Sequence, residues 1–178
     1  MEVLLHTCCA PCSIKCIDVL QNENITPVLF WYNPNIHPYV EYKNRKNALS
    51  DYSKSKNIKI HAKDEYGLRE FVKNICPEFD NRCEYCYRSR LEETARFASE
   101  QGYAGFSTTL LISPYQNHEL IYETAKDMAK RYGVEFIYRD FRPYFREGQK
   151  IAREMEIYMQ KYCGCIFSEE ERYLKSKF

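Results

Sequence analysis

Residues Leu4 to Cys12 read Leu-Leu-His-Thr-Cys-Cys-Ala-Pro-Cys, and no other stretch of the chain restricts its possible folds as much. An apolar run, Val3 to Leu5, breaks at a polar turn carrying the thiols Cys8, Cys9 and Cys12. Ile14, Ile17 and Leu20 follow at helical spacing. Strand, turn and helix in that order open many ligand-binding α/β proteins, in which the first turn meets the ligand. Such turns usually present glycine backbone to a phosphate. Sulfur in that place predicts a metal instead.

The alternation continues along the chain. Thr26 to Tyr32 and Ile58 to His61 read as further strands, with a polar helix over Tyr39 to Lys56 between them. That helix is expected to turn Val40, Ala48, Leu49 and Tyr52 inward. A short helix is predicted over Gly67 to Ile75, then a loop Cys76 to Arg82, and Cys83 and Cys86 lead into a helix ending near Gly102. Gly105 to Thr108 and Val134 to Tyr138 read as the fourth and fifth strands. They flank a loop Leu110 to Asn117 and a helix over His118 to Tyr132 that stops at Gly133. Helix is expected again over Gln149 to Gln160, and Ser168 to Glu171 has capping-box spacing for a last one. Strands alternating with helices imply right-handed crossovers and a three-layer α/β/α fold with a mostly parallel sheet of about five strands. With 178 residues and no repeat or long linker, the expectation is one domain over residues 1–178 with an irregular metal-binding segment over about 139–178.

No stretch approaches the roughly 20 apolar residues of a membrane span, and the opening residues do not read as a secretory signal. A cytoplasmic location is therefore expected. In a reducing compartment, nine cysteines favour metal or redox chemistry over a disulfide framework. The net charge of +1 gives no global nucleic-acid footprint, so any RNA contact has to rest on a local patch.

In an open parallel sheet, ligands gather beyond the carboxyl ends of the strands. Thr7–Cys12, Thr108–Asn117 and Arg139–Tyr144 leave such ends. Two more cysteine groups, Cys83-Glu-Tyr-Cys86 and Cys163-Gly-Cys165, lie where they could fold over that edge. Cys8, Cys9, Cys12, Cys83, Cys86, Cys163 and Cys165 are the candidate metal ligands. Seven thiols exceed the four of a tetrahedral zinc site, and suit an iron–sulfur cluster with ligands left for a second metal. Cys16 and Cys76 read as small buried apolar residues. Two other readings stand beside this one: a zinc-stabilised RNA-binding module, and a thioredoxin-like dithiol site at Cys9-Ala10-Pro11-Cys12, which leaves the other cysteines idle.

Leu5 to Cys12, Arg82 to Leu91 (Arg-Cys-Glu-Tyr-Cys-Tyr-Arg-Ser-Arg-Leu), Ser107 to Asn117, Asp140 to Pro143 and Tyr162 to Ser168 (Tyr-Cys-Gly-Cys-Ile-Phe-Ser) together resemble the cobalamin-independent epoxyqueuosine reductases, in the same order, from about residue 3 to 168. The resemblance implies two-electron deoxygenation of epoxyqueuosine to queuosine at the tRNA wobble position. It also implies a 4Fe–4S cluster beside a separately coordinated iron, and an external electron donor. The implied fold is similar to the nucleotide-binding domain of ATP pyrophosphatases, whose first strand is followed by a Ser-Gly-Gly loop. Cys-Cys-Ala-Pro-Cys takes that place here.

Such chemistry needs a proton donor. Asp140, leaving the fifth strand, is the first candidate, with His6 and Tyr87 behind it. Asp140 reads equally as a turn or cap carboxylate, and His6 as a hydrogen-bonded core histidine. For tRNA, Arg139, Arg142, Arg146, Lys150 and Arg153 are interleaved with Phe141, Tyr144 and Phe145, cations for phosphates and aromatics for splayed bases. Arg82, Arg88 and Arg90 could extend that patch, though charge runs are commonly just solvated surface. Ser113, Tyr115 and Asn117 are candidate base or ribose contacts, or simply turn formers.

Overall fold

Strands that are apolar along their whole length must be covered on both faces, which a parallel sheet between two helical layers provides. In the computed structural model, which describes residues 1–174, Val3, Leu4, Leu5, Val28, Leu29, Phe30 and Trp31 are all buried. They lie in β1 (Glu2–His6) and β2 (Thr26–Trp31), the middle of a five-stranded, wholly parallel sheet. Its order is β3-β2-β1-β4-β5, with β3 (Ile60–Ala62), β4 (Gly105–Thr108) and β5 (Glu135–Phe136). Burying Leu4 and Leu5 completely stabilises the fold by about 1.5–3 kcal/mol each. A Cβ on Gly105 would stand 2.8 Å from the Glu135 carbonyl oxygen, so β5 closes onto β4 only because residue 105 has none.

The chain moves outward from β1 to β2 and β3, then crosses back to lay β4 on the other side of β1. Strand order therefore reverses between β1 and β4, and their carboxyl ends open the crevice where such sheets bind ligands. Helix α1 (Ala10–Asn22) packs against α2 (Tyr39–Ser55) and α6 (Phe145–Glu154). Helix α4 (Arg82–Glu100) packs on β1, β4 and α5 (His118–Tyr132). The short α3 (Leu68–Ile75) and the C-terminal α7 (Ile166–Leu174) lie near the first turns of α4, where Phe71, Ile75, Cys86 and Cys165 form a small apolar cluster. No described helix is long and apolar enough to cross a membrane.

Several boundaries differ from the sequence-based expectation. Val40 is exposed, and α2 instead buries Glu41, Tyr42, Arg45, Leu49, Tyr52 and Ser53. A charged pair on the inner face misled the apolar count. Strand β3 starts at Ile60, not Ile58, and β5 is only two residues long. Helix α6 begins at Phe145 and ends before Glu156, which has a left-handed φ of 55°, so this helix lies several residues earlier than the pattern predicts. Ser168 does not start the last helix. Its Oγ accepts from Gly164 N and donates to Cys165 O, bracing the cysteine turn from within α7.

Candidate metal centre at the carboxyl edge of the sheet

Cys9 occupies the N-cap of α1 with extended backbone (φ −171°, ψ 160°), and Pro11 lies in the first turn. Pro suits that turn because the first helical N–H groups have no partner to lose. The geometry turns Cys8, Cys9 and Cys12 toward one another until all three sulfurs lie within 4.8 Å. Thr109, the first residue after β4, steadies this end: its Oγ1 accepts from Cys8 N at 3.3 Å and lies 3.6 Å from Cys8 Sγ. Free N–H groups and the helix dipole favour negative charge here. Hydrogen bonds from Cys12 and then Cys9 hold Cys8 well below the usual thiol range. Burial pushes Cys9 up, and Cys12 is raised by its hydrogen bonds to Cys8 and Cys9. Three soft, converging donors can bind a metal ion.

The other four thiols arrive from two distant segments. Cys83 and Cys86 lie in the first turns of α4; Cys163 and Cys165 lie in the turn before α7. Burial raises Cys83, and pushes Cys86 up to about 12; Cys163 and Cys165 act on both in the same direction. Long-range contacts hold the second turn in place. Arg45, 1 % exposed, bonds Glu41 at 2.6 Å and donates to the carbonyls of Cys163 (2.8 Å) and Tyr162 (2.9 Å). His37 N donates to Gly164 O at 2.8 Å, and Tyr162 Oη donates to His37 O at 2.6 Å. His37 Nδ1 accepts from Ile166 N at 3.2 Å, which leaves Nε2–H to donate to Pro34 O at 3.0 Å. Gly164 has φ 157°, and a Cβ there would stand 3.5 Å from the Arg45 guanidinium.

Between the first and third thiol groups lies a cavity of about 420 Å³, lined by Cys8, Cys12 and Cys163 together with Thr109, Ser113, Tyr115, Gln116, Phe145, Gln149, Gln160, Lys161, Tyr162 and Arg172. Two amides turn their N–H groups onto sulfur: Gln116 Nε2 to Cys163 Sγ at 3.2 Å, and Gln160 Nε2 to Cys12 Sγ at 3.5 Å. Such bonds stabilise thiolate over thiol.

Of the proton-donor candidates, none lines this cavity. Asp140 accepts from the Arg142 backbone N–H at 3.1 Å and from its guanidinium at 2.8 and 2.7 Å. The Arg142 guanidinium holds its carboxyl below the usual range, so Asp140 is the turn carboxylate of its alternative reading. His6 is fully buried and neutral, its pKa lowered to about 4 chiefly by burial. It joins Thr108 Oγ1 (3.0 Å) to Tyr32 O and Asn33 Oδ1 (both 3.2 Å). Tyr87, raised to about 12 by burial, donates to Gln116 Oε1 at 2.5 Å and accepts from Asn117 N at 3.3 Å, so it positions the amide that faces Cys163.

The proposed RNA contacts divide in the same way. Arg139 is paired with Glu23 at 2.7 Å, and Arg142 with Asp140. Arg146, Lys150 and Arg153 are exposed along α6, Lys150 lying 3.8 Å from Glu154. Asn117 caps α5 by accepting from Leu120 N at 3.1 Å. Ser113 and Tyr115 line the cavity, and Tyr115, 86 % exposed, meets the Phe145 ring edge-on at 6.0 Å. Cys16 is the buried thiol its spacing suggests, donating to Cys12 O at 3.2 Å, whereas Cys76 is exposed.

Sequence reasoning missed Arg45, Gln116, Gln160 and Lys161 as residues of this site. Arg45 had a visible signal, an arginine on the Leu49 and Tyr52 stripe with Glu41 one turn before it. Gln116 stands between two residues already singled out. Nothing local marks Gln160 or Lys161.

A doubly wound parallel sheet whose first turn presents clustered thiols, in place of a phosphate-binding loop, defines a metal-competent α/β protein. Comparison with known proteins narrows this further. The family model described as Epoxyqueuosine reductase QueH matches residues 3–171. Epoxyqueuosine reductase QueH of Dehalococcoides mccartyi is 37% identical over 174 residues, 98% of this chain and 96% of that one. Its counterpart from Thermotoga maritima is 36% identical over 180 residues, 96% and 91% of the two chains. The chain belongs to the epoxyqueuosine reductase QueH family. The fold is also similar, with a TM-score of 0.54 at 14% identity over 88% of this chain and 89% of the other, to a crystal structure described as a predicted subunit of tRNA methyltransferase from Methanocaldococcus jannaschii.

Proposed function

We propose that this protein is an epoxyqueuosine reductase acting on tRNA, and that its thiols hold iron as a 4Fe–4S cluster with an adjacent iron. The observation that carries this reading is the cavity walled by Cys8 and Cys12 on one side and Cys163 on the other. At about 420 Å³ it falls within the usual range of small-ligand sites. The reaction consumes the epoxide, two electrons and two protons, and yields the cyclopentene and water. Bound iron would supply electrons singly and polarise the departing oxygen.

The chain's own residues do the rest. Gln116 and Gln160 keep Cys163 and Cys12 as hydrogen-bonded sulfurs at the cavity wall. Lys161 lies on that wall and takes the proton-donor role that the sequence suggests for Asp140. Tyr115 and Phe145 offer ring faces at the mouth to an unstacked base, while Arg172 and the exposed cations of α6 meet phosphates. An external carrier delivers the electrons. The dithiol alternative fares poorly, because Cys9, which would have to attack, is 1 % exposed and its pKa is raised by burial.

The test is anaerobic reconstitution with ferrous iron and sulfide, followed by reduction in the presence of epoxyqueuosine-containing tRNA. Brown protein with several irons per chain and conversion to queuosine is expected, and Cys83→Ala or Cys86→Ala should lose iron together with turnover. Stoichiometric zinc without visible absorption or turnover would replace this reading with the zinc-stabilised RNA-binding one. Full iron content in both cysteine variants would remove the middle pair from the ligand set.

A further inference from the structure

Arg90 lies two turns into α4 and is 2 % exposed, yet among the described residues it forms no ion pair with a carboxylate. Its Nε donates to Cys86 O at 3.0 Å, and its Nη2 points at Cys86 Sγ, also at 3.0 Å. A buried guanidinium without a countercharge is costly. Arg45, the other buried arginine of the site, has Glu41 beside it. Besides the Cys86 carbonyl and the Tyr87 ring, 6.0 Å from its guanidinium, Arg90 faces sulfur. Neutral thiols would leave this charge unopposed. Thiolates held on a metal would oppose it.

Building on the metal reading above, we infer that Arg90 is the resident countercharge of the thiolate-held centre. It is a positioning residue that raises the centre's reduction potential and favours metal uptake. The direction follows from Coulomb's law: adding an electron to an anionic centre costs less beside a fixed positive charge, and an N–H donor to a ligand sulfur acts the same way. The same placement makes Arg90 a burden on the protein without metal, where nothing anionic faces it.

These two effects have opposite signs, so a structural role and a countercharge role separate cleanly. Arg90→Met removes the charge and keeps much of the volume; Arg90→Lys keeps the charge and loses the planar fork. Metal-free Arg90→Met should melt at the same temperature as the metal-free wild type or higher. After loading with ferrous iron and sulfide, it should be reduced by dithionite at a more negative potential. The expected fall in the reduced-to-oxidised ratio at fixed potential is about tenfold, or ~59 mV for one electron. Arg90→Lys should lie nearer the wild type in potential. A metal-free Arg90→Met protein that melts below the wild type makes Arg90 an ordinary structural residue and overturns the inference. So does a loaded variant with an unchanged potential. A wild-type protein that takes up no metal overturns the metal reading itself, and this inference with it.

Discussion

The two walls of the thiol cavity are built by different means. Cys8, Cys9 and Cys12 hang from the end of the central strand and the start of the helix that follows it, and local backbone geometry brings their sulfurs together. Cys163 and Cys165 come from a turn with no strand beneath it, held by the Arg45 side chain, 117 and 118 positions away from the carbonyls it binds, and by the backbone and ring of His37. The first wall is preorganised by the fold. The second is assembled onto it, and only when both are in place does the cavity exist. Stability should therefore be uneven across the site, low where few buried contacts hold the backbone.

Removing Arg45 is the strongest way to break that contrast. Arg45→Ala leaves Glu41 buried without its partner and frees the Tyr162 and Cys163 carbonyls. Breaking one partner out of a buried pair costs about 3–5 kcal/mol. The midpoint of urea unfolding should fall accordingly. Amide exchange should rise at Cys163 to Ile166 while Leu4 to Cys12 stay protected. Equal loosening of both walls would show that they form one cooperative unit and erase the distinction between them.

The same contrast explains what could be read from sequence. The first wall was legible because it is local: an apolar run, a thiol turn and a helical period lie within 20 residues. The reversal at β1 was not, because alternating strands and helices fix no strand order. Cys163-Gly-Cys165 was recognisable as a cysteine turn, but its anchors were not, since Arg45 and His37 reach it through tertiary contacts that leave no periodic trace. Asp140 shows the converse case. Its position after the fifth strand fits a catalytic acid, yet its carboxylate is held by Arg142, two residues on, and does not line the cavity. The α6 boundary failed for a related reason: Gly148 packs toward α1, with Lys15 paired to Glu147, and no cap residue announces the start.

A smaller effect should sharpen the comparison through pH. Burial lowers His37 to about 4, and its Nδ1 must stay unprotonated to accept from Ile166 N. The unfolded chain takes up a proton near the ordinary histidine value. The stabilisation is thus fully present above about pH 6.5 and is lost as pH falls through about 4, by at most about 3 kcal/mol. Urea midpoints of the metal-free protein at about pH 7 and about pH 5 should differ more for the wild type than for His37→Asn, whose carbonyl can accept the same N–H without titrating. Identical pH slopes would mean that the second wall does not depend on this ring.

The smallest expected effect concerns the surface outside both walls. Arg139 and Arg142 already have carboxylate partners, whereas Arg146, Lys150 and Arg153 lie exposed on the helix whose first residue, Phe145, lines the cavity. Neutralising Arg146 or Lys150 should weaken tRNA binding modestly, with iron content unchanged. The slope of log affinity against log salt should fall by about 1 for each phosphate left without its cation. Arg139→Gln, which breaks an internal pair, should leave that slope alone. If instead Arg139→Gln lowers the slope and the α6 variants do not, the RNA approaches by the end of the fifth strand, and the walls are entered from the opposite side.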